Sequence, residues 1–238
     1  MESFHPEAHR ASAPQALDHV GLRVADRDAM SAFLSEGLRM RVLERTEQLT
    51  VVGADAQHGK LVLLAAEGPR EPGVLARVVF RVADLDRALA SLPREFEVRR
   101  PLPEIALFQG PEGLRLGLTQ VLGGVDYDID HVVLSVAAPE DVTLAFAELG
   151  LVPRGGALHV GDRQVRLEHR PVPPGERPLL NHLGLLVESV DAVAAQARQR
   201  GLEIDRAAEA IEKLAVFVPG PERIRLEYLE HVGASALR

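Results

Sequence analysis

Four times along this chain a short apolar strand is followed by a helical stripe of apolar residues. A fourfold internal repeat constrains the fold more than anything else here, because each copy must bury a similar face against a neighbour. The strands read LDHVGLRV from Leu17 to Val24, ARVVFRV from Ala76 to Val82, IDHVVLSV from Ile129 to Val136 and NHLGLLV from Asn181 to Val187. Behind the second, Leu85, Ala88, Leu89 and Leu92 have helical spacing, with Pro93 as the stop. Behind the third, Pro139 suits a first turn, Val142, Ala145, Phe146 and Leu149 form the stripe, and Gly150 closes it. The fourth stripe is Val190, Val193, Ala194 and Ala197, ending near Gly201, and the first is Met30, Phe33 and Leu34 before Gly37. Each unit closes on a similar strand: HGKLVLLA (His58 to Ala65), GPEGLRLGL (Gly110 to Leu118), DRQVRLEH (Asp162 to His169) and GPERIRLEY (Gly220 to Tyr228).

The pattern predicts an α+β fold of four βαβββ modules with the helices outside curved sheets. The modules are expected in two tandem pairs, each forming an open, curved, barrel-like sheet. A Gly-rich stretch from Val121 to Asp128 reads as the seam between halves, with the split near Gly123 and Gly124, and the Pro-rich run from Pro171 to Pro178 links the last two units. The organisation expected is a loose tail over 1–16, a metal-free pair over 17–122 and a metal-bearing pair over 129–231.

Composition narrows the chemistry. The 238 residues include no Cys, which excludes disulfides, thiolate metal sites and Cys nucleophiles, so a metal here must take His and carboxylate ligands. A net charge of −8 and the lack of Trp argue against nucleic acid as a partner. No apolar run approaches the roughly 18 residues a membrane span needs, and the polar, acid-containing opening MESFHPEAHRASAP has no signal-like apolar region. A cytoplasmic protein acting on a small molecule is the expectation, with an oligomer surface as one use for the N-terminal half.

Strand alternation then picks out candidate ligands. In IRLEY, Arg225 and Glu227 lie opposite Ile224, Leu226 and Tyr228; in VRLEH, Arg166 and Glu168 lie opposite Val165, Leu167 and His169. Glu168 and Glu227 thus read as equivalent, as do His131 and His182 near the starts of their strands. The corresponding N-terminal residues are His19, Leu64, Arg77 and Gly117. His19 is read as a core or surface residue, and His58, His159 and His169 as surface or packing residues. Carboxylates facing a sheet interior are costly unless paired or bound to a cation. Neutral imidazoles with carboxylates suit one divalent ion: Fe²⁺, Mn²⁺, Zn²⁺, Ni²⁺ or Co²⁺. Arg166 and Arg225 share the glutamates' face, either to hold an anionic substrate or to pair with those carboxylates.

The repeat, the DHV and NHL strand starts and GPERIRLE resemble the vicinal oxygen chelate superfamily, over nearly the whole chain from Leu17 to Glu230. That superfamily includes glyoxalase I, extradiol ring-cleaving dioxygenases, epimerases and bleomycin-resistance proteins. The resemblance implies a metal in the cleft of a paired-module barrel, held by His131, Glu168, His182 and Glu227, and a small substrate with two vicinal oxygens. A 2-His-2-Glu set is nearer to glyoxalase I, which favours proton-transfer (isomerase or lyase) chemistry with Glu168 as base and Phe217 as an apolar wall. The alternative is an Fe(II) extradiol dioxygenase acting on a catechol, using the positions matching His131, His182 and Glu227. That group carries a Tyr where Phe217 stands here and a His near Ala208. A small-molecule binding or resistance protein is the third reading, ranked last because that branch commonly lacks the ligands.

Overall fold

Period-two burial shows why the strands form where they do. The computed structural model describes residues 12–55, 59–123, 125–171, 177–205 and 213–231. The expectations placed on His58, Gly124, Ala208, the middle of the Pro-rich run and most of the tail fall outside these residues. The end of the tail is part of the fold: Ser12 is buried, and the Gln15 backbone N–H donates to the Leu186 carbonyl at 2.7 Å.

The first unit comprises β1 (Ala16–Val24), α1 (Arg27–Ala32, continued by a π turn to Gly37), β2 (Arg41–Arg45), β3 (Leu49–Gly53) and β4 (Lys60–Ala65). The second has β5 (Leu75–Val82), α2 (Leu85–Leu89), β6 (Arg99–Leu102), β7 (Ile105–Gln109) and β8 (Arg115–Gln120). The third has β9 (Asp128–Val136), α3 (Pro139–Glu148), β10 (Val152–Arg154), β11 (Ala157–Val160) and β12 (Arg163–His169). The fourth has β13 (Leu180–Leu186), α4 (Val190–Gln199), β14 (Lys213–Pro219) and β15 (Arg225–His231). Side-chain oxygens of Asp26, Asp84 and Ser189 cap α1, α2 and α4, each accepting a backbone N–H three residues on and so satisfying an orphan donor. The stripe of α4 is buried as its periodicity predicts, at Val190, Val193, Ala194 and Ala197. Helix α2 stops at Leu89, short of the Leu92 expected to close its stripe.

The α+β class and the open sheets agree with the sequence pattern; the tandem pairing does not. One sheet runs β14-β15-β13-β1-β4-β3-β2 and the other β10-β11-β12-β9-β5-β8-β7-β6. The first unit therefore pairs with the fourth, through antiparallel β1 and β13, and the second with the third, through antiparallel β5 and β9. Both sheets cross the expected division at Gly123. Strand alternation and turn residues are local signals, and which unit pairs with which is settled by long-range packing that they do not encode.

Tandem neighbours still touch through their GPE turns. Glu112, at a left-handed φ of 53°, accepts the backbone N–H groups of Ala25 and Asp26 in the first unit, and Glu222, at φ 52°, accepts that of Ala137 in the third. On the helix side of the sheets, Val20, Leu22, Phe80, Leu116, Val132, Val165, Leu183 and Leu226 are fully buried and build a shared core.

Candidate metal centre

Strand register fixes what meets what. Across the β1–β13 junction, His19 lies opposite Gly184 and Gly21 opposite His182. One step outward, Gly184 pairs with Glu227, and Glu227 with Phe217. Each imidazole thus leans over a glycine of the facing strand. A Cβ on Gly184 would lie 2.3 Å from the His19 ring, and one on Gly21 2.3 Å from the His182 ring. The two glycines let two rings share one spot.

The result is a tight triangle. Nε2 of His19 and Nε2 of His182 are 2.7 Å apart, and Oε2 of Glu227 is 2.9 Å from the first and 3.0 Å from the second. The rings meet edge to face at 88°. Two donors each about 2.1 Å from one ion and at right angles to each other lie about 3.0 Å apart, so this spacing fits three facial ligands of a single divalent ion. Both histidines are buried, and Glu227 keeps 16% of its side-chain surface exposed.

The outer nitrogens are also held. Nδ1–H of His19 donates to Asp18 Oδ2 at 2.9 Å, while Asp18 Oδ1 takes the buried Lys60 ammonium at 2.8 Å. That bond fixes the tautomer that turns a bare Nε2 toward a metal. Nδ1 of His182 sits 3.0 Å from the Asn181 amide, and the amide orientation that presents oxygen would leave its Nε2 bare in the same way. Burial works against protonation of His19, but its bonds to the Asp18 and Glu227 carboxylates prevail and raise its pKa to about 9. Burial opposes ionisation of Glu227, yet hydrogen bonds from His182 and His19 hold its carboxyl far below the usual range. Burial pushes His182 down. Without an ion, contacts at hydrogen-bond distance among the two imidazoles and the carboxylate hold the cluster.

Of the four ligands expected, His182 and Glu227 converge, and His131 and Glu168 do not join them. His131 is on the other sheet, opposite Val79, with its Nδ1 2.6 Å from Asp130. Glu168 lies four residues along from His131's neighbour Gln164 and accepts the Ser135 hydroxyl at 2.6 Å. Two errors of register account for this. Pairing of the first with the fourth unit brings His19, not His131, to His182. Moreover, Glu227 faces Gly184, two residues past His182, while Val133, two past His131, faces Arg166. The third-unit counterpart of Glu227 is thus Arg166, two residues from the Glu168 that the shared RLE motif suggests. The N-terminal half, expected to be metal-free, places His19 at one corner of the triangle. His19, in the same DHV start as His131, was the visible signal.

Phe217 and Arg225 do reach the site. The Phe217 ring lies 5.3 Å from that of His182, and the Arg225 guanidinium covers its face at 4.3 Å. Arg225 has Asp205 at 3.5 Å rather than a ligand carboxylate. Arg166 is exposed on the other sheet and donates to Gln164. In the row of His182 and Gly21, the position on β4 that could offer a fourth donor is Val62. Among the described residues, His19, His182 and Glu227 are the group of three or more His or acidic side chains able to hold an ion.

A family model described as the glyoxalase/bleomycin resistance protein/dioxygenase superfamily matches residues 16–150. The chain belongs to this superfamily. No curated protein sequence matches it closely enough to count. Among solved structures, a "putative dioxygenase" from Bacillus subtilis is similar with a TM-score of 0.73 at 12% identity, covering 95% of this chain and 88% of that one. Glyoxalase I from Zea mays has a TM-score of 0.69 at 17% identity, covering 93% and 94%. The cppA protein from Streptococcus pneumoniae gives 0.63 at 13%, covering 91% and 98%. Such likenesses establish the superfamily's fold over essentially the full length. No helix among the described residues is long and apolar enough to cross a membrane.

Proposed function

We propose that this chain is a metal-dependent enzyme that chelates two vicinal oxygens of a small aromatic substrate and cleaves its ring with dioxygen. The observation that carries the reading is the donor set: two histidines and one carboxylate, with Val62 where a fourth donor would stand. The proton-transfer reading rests on a fourth, mobile glutamate, and Glu168 is on the other sheet. Three facial protein ligands with open positions are the pattern of non-haem Fe(II) oxygenases. An ion held there would offer those positions to the two oxygens of the substrate and, as iron, would relay electrons from the bound substrate to dioxygen.

The remaining residues have definite tasks. Asp18 holds the His19 ring and its proton on the far side, and the Lys60 ammonium pairs with the other oxygen of Asp18. Val51 and Val62, next to Gly21 in the same row, form an apolar strip that suits a ring. Phe217 closes the opposite side, and Arg225 places a positive charge beside it for an oxyanion. Phe217 and Arg225 accept no proton, so turnover is expected to rise with pH until the substrate itself ionises. The test is anaerobic loading with Fe²⁺, followed by oxygen uptake with a series of catechols. Uptake matched by ring-opened product is expected. If the loaded protein consumes none and instead isomerises an α-hydroxy carbonyl compound with Zn²⁺ or Ni²⁺, proton transfer is the right assignment.

A further inference from the structure

The second sheet carries an opposite charge pattern on its corresponding face. Arg77 on β5 and Arg166 on β12 both lie opposite Val133 on β9, so the three share one row on the side away from the buried core. Arg115 on β8 and Arg77 immediately precede the paired Leu116 and Val78, which extends the row by one strand. Adjacent strands are about 4.8 Å apart, so three guanidinium groups project from a strip roughly 15 Å wide. His131 lies one row below, between Val79 and Gln164. On this face Arg77 and Arg115 have no ion pair or side-chain hydrogen bond among the described residues, and Arg166 only its bond to Gln164. Glu168 accepts a hydrogen bond from Ser135 rather than pairing with Arg166. In a protein of net charge −8, such a cluster concentrates positive potential on a face where Arg166 is exposed and Arg77 and Arg115 are half-buried.

We infer that this face is a second binding site, for a small organic anion carrying two or three carboxylate or phosphate groups. The planar fork of each guanidinium matches such groups in bidentate fashion, and three forks in a row match a ligand with several. Val79 and Val133 give the floor an apolar character that suits an organic skeleton over a bare inorganic ion. The site lies on a different sheet from the metal centre, and none of its residues is a candidate metal ligand. Anion binding also relieves repulsion among the three arginines, so occupancy stabilises the fold.

Calorimetric titration of the full chain with trimesate (benzene-1,3,5-tricarboxylate) and, separately, pyrophosphate tests this and distinguishes carboxylate from phosphate preference. One of the two is expected to bind, more weakly at high ionic strength. R77Q and R166Q are each expected to lower that affinity at least about tenfold, while H182A leaves it unchanged, which excludes chelation at the metal centre. Without anion, R77Q is expected to melt no lower than the parent. The inference is overturned if neither probe binds, if R77Q and R166Q bind as the parent does, if H182A abolishes binding, or if R77Q melts lower without anion.

Discussion

Replacing Gly184 with Ala tests how the metal centre is built. The added methyl would sit 2.3 Å from Cε1 of His19 and 2.4 Å from its Nδ1, on a strand position where glycine's backbone freedom is not used. Carbon atoms in comfortable contact are about 3.5 Å apart, so the ring must retreat by about 1 Å. Metal–ligand distances tolerate only about 0.2 Å, and the three donors are held within 2.7–3.0 Å of one another. Gly184→Ala is therefore expected to cost at least about 100-fold in metal affinity, the upper end of what disturbed supporting residues cost. Overpacking should also destabilise the ion-free protein by about 1–3 kcal/mol. The assay is a double-mutant cycle: metal affinity by titration and stability by denaturant unfolding, for G184A, H19A and the pair. With the ring gone, the methyl loses its three nearest contacts, so G184A should cost far less stability in the H19A background. Gly37→Ala, whose methyl meets nothing nearer than 3.4 Å, serves as a control. If G184A costs the same with and without the His19 ring, the glycine is not there to admit the imidazole and the argument fails.

Other outcomes follow from the same geometry. H182A and E227A should each abolish metal retention as measured by elemental analysis, whereas H131A and Glu168→Gln should retain a full complement. Asp18→Asn should weaken metal binding about 10–100-fold while leaving the ligands themselves in place, as metal titration would reveal. His19, raised to about 9, is protonated at neutral pH in the ion-free protein, and metal must displace that proton. Metal affinity should therefore climb about tenfold per pH unit from about 7 to about 9 and then level off, with one proton released per ion in calorimetry run in different buffers. The sign is opposite for the ion-free fold: stability from the charged His19 is complete below its ordinary value of 6.5 and is lost as pH rises through about 9.

Much of this was legible in the residues. Alternation located the strands, and caps and stripes located the helices, because both depend on neighbours a few positions away. His182 and Glu227 could be paired from sequence since they belong to one unit, on adjacent parallel strands. His19 could not be joined to them by the same means. Its DHV start is indistinguishable from that of His131, and choosing between them requires knowing which unit faces which. Glu168 was misplaced for a related reason: RLE motifs align by eye, but loop lengths set the register of β12 on β9 two residues away. The glycines opposite the histidines, Gly21 in HVGL and Gly184 in HLGL, were a readable clue. The third unit has Val133 at that place, which leaves no room for a second imidazole.

The pairing of the outermost units also has a kinetic side. During synthesis the second and third units can complete their sheet while the first still lacks a partner, because β1 must wait for β13. From the end of β4 at Ala65 to the start of β13 at Leu180, the wait at roughly 5–20 residues per second is on the order of ten seconds. Throughout it, β1 presents an unpaired edge with apolar side chains, the kind of edge that recruits other chains. Two of the three candidate metal donors are carried by the last unit to emerge. A permuted chain opened between β4 and β5, with the old ends joined, would make both sheets from consecutive units and remove that interval.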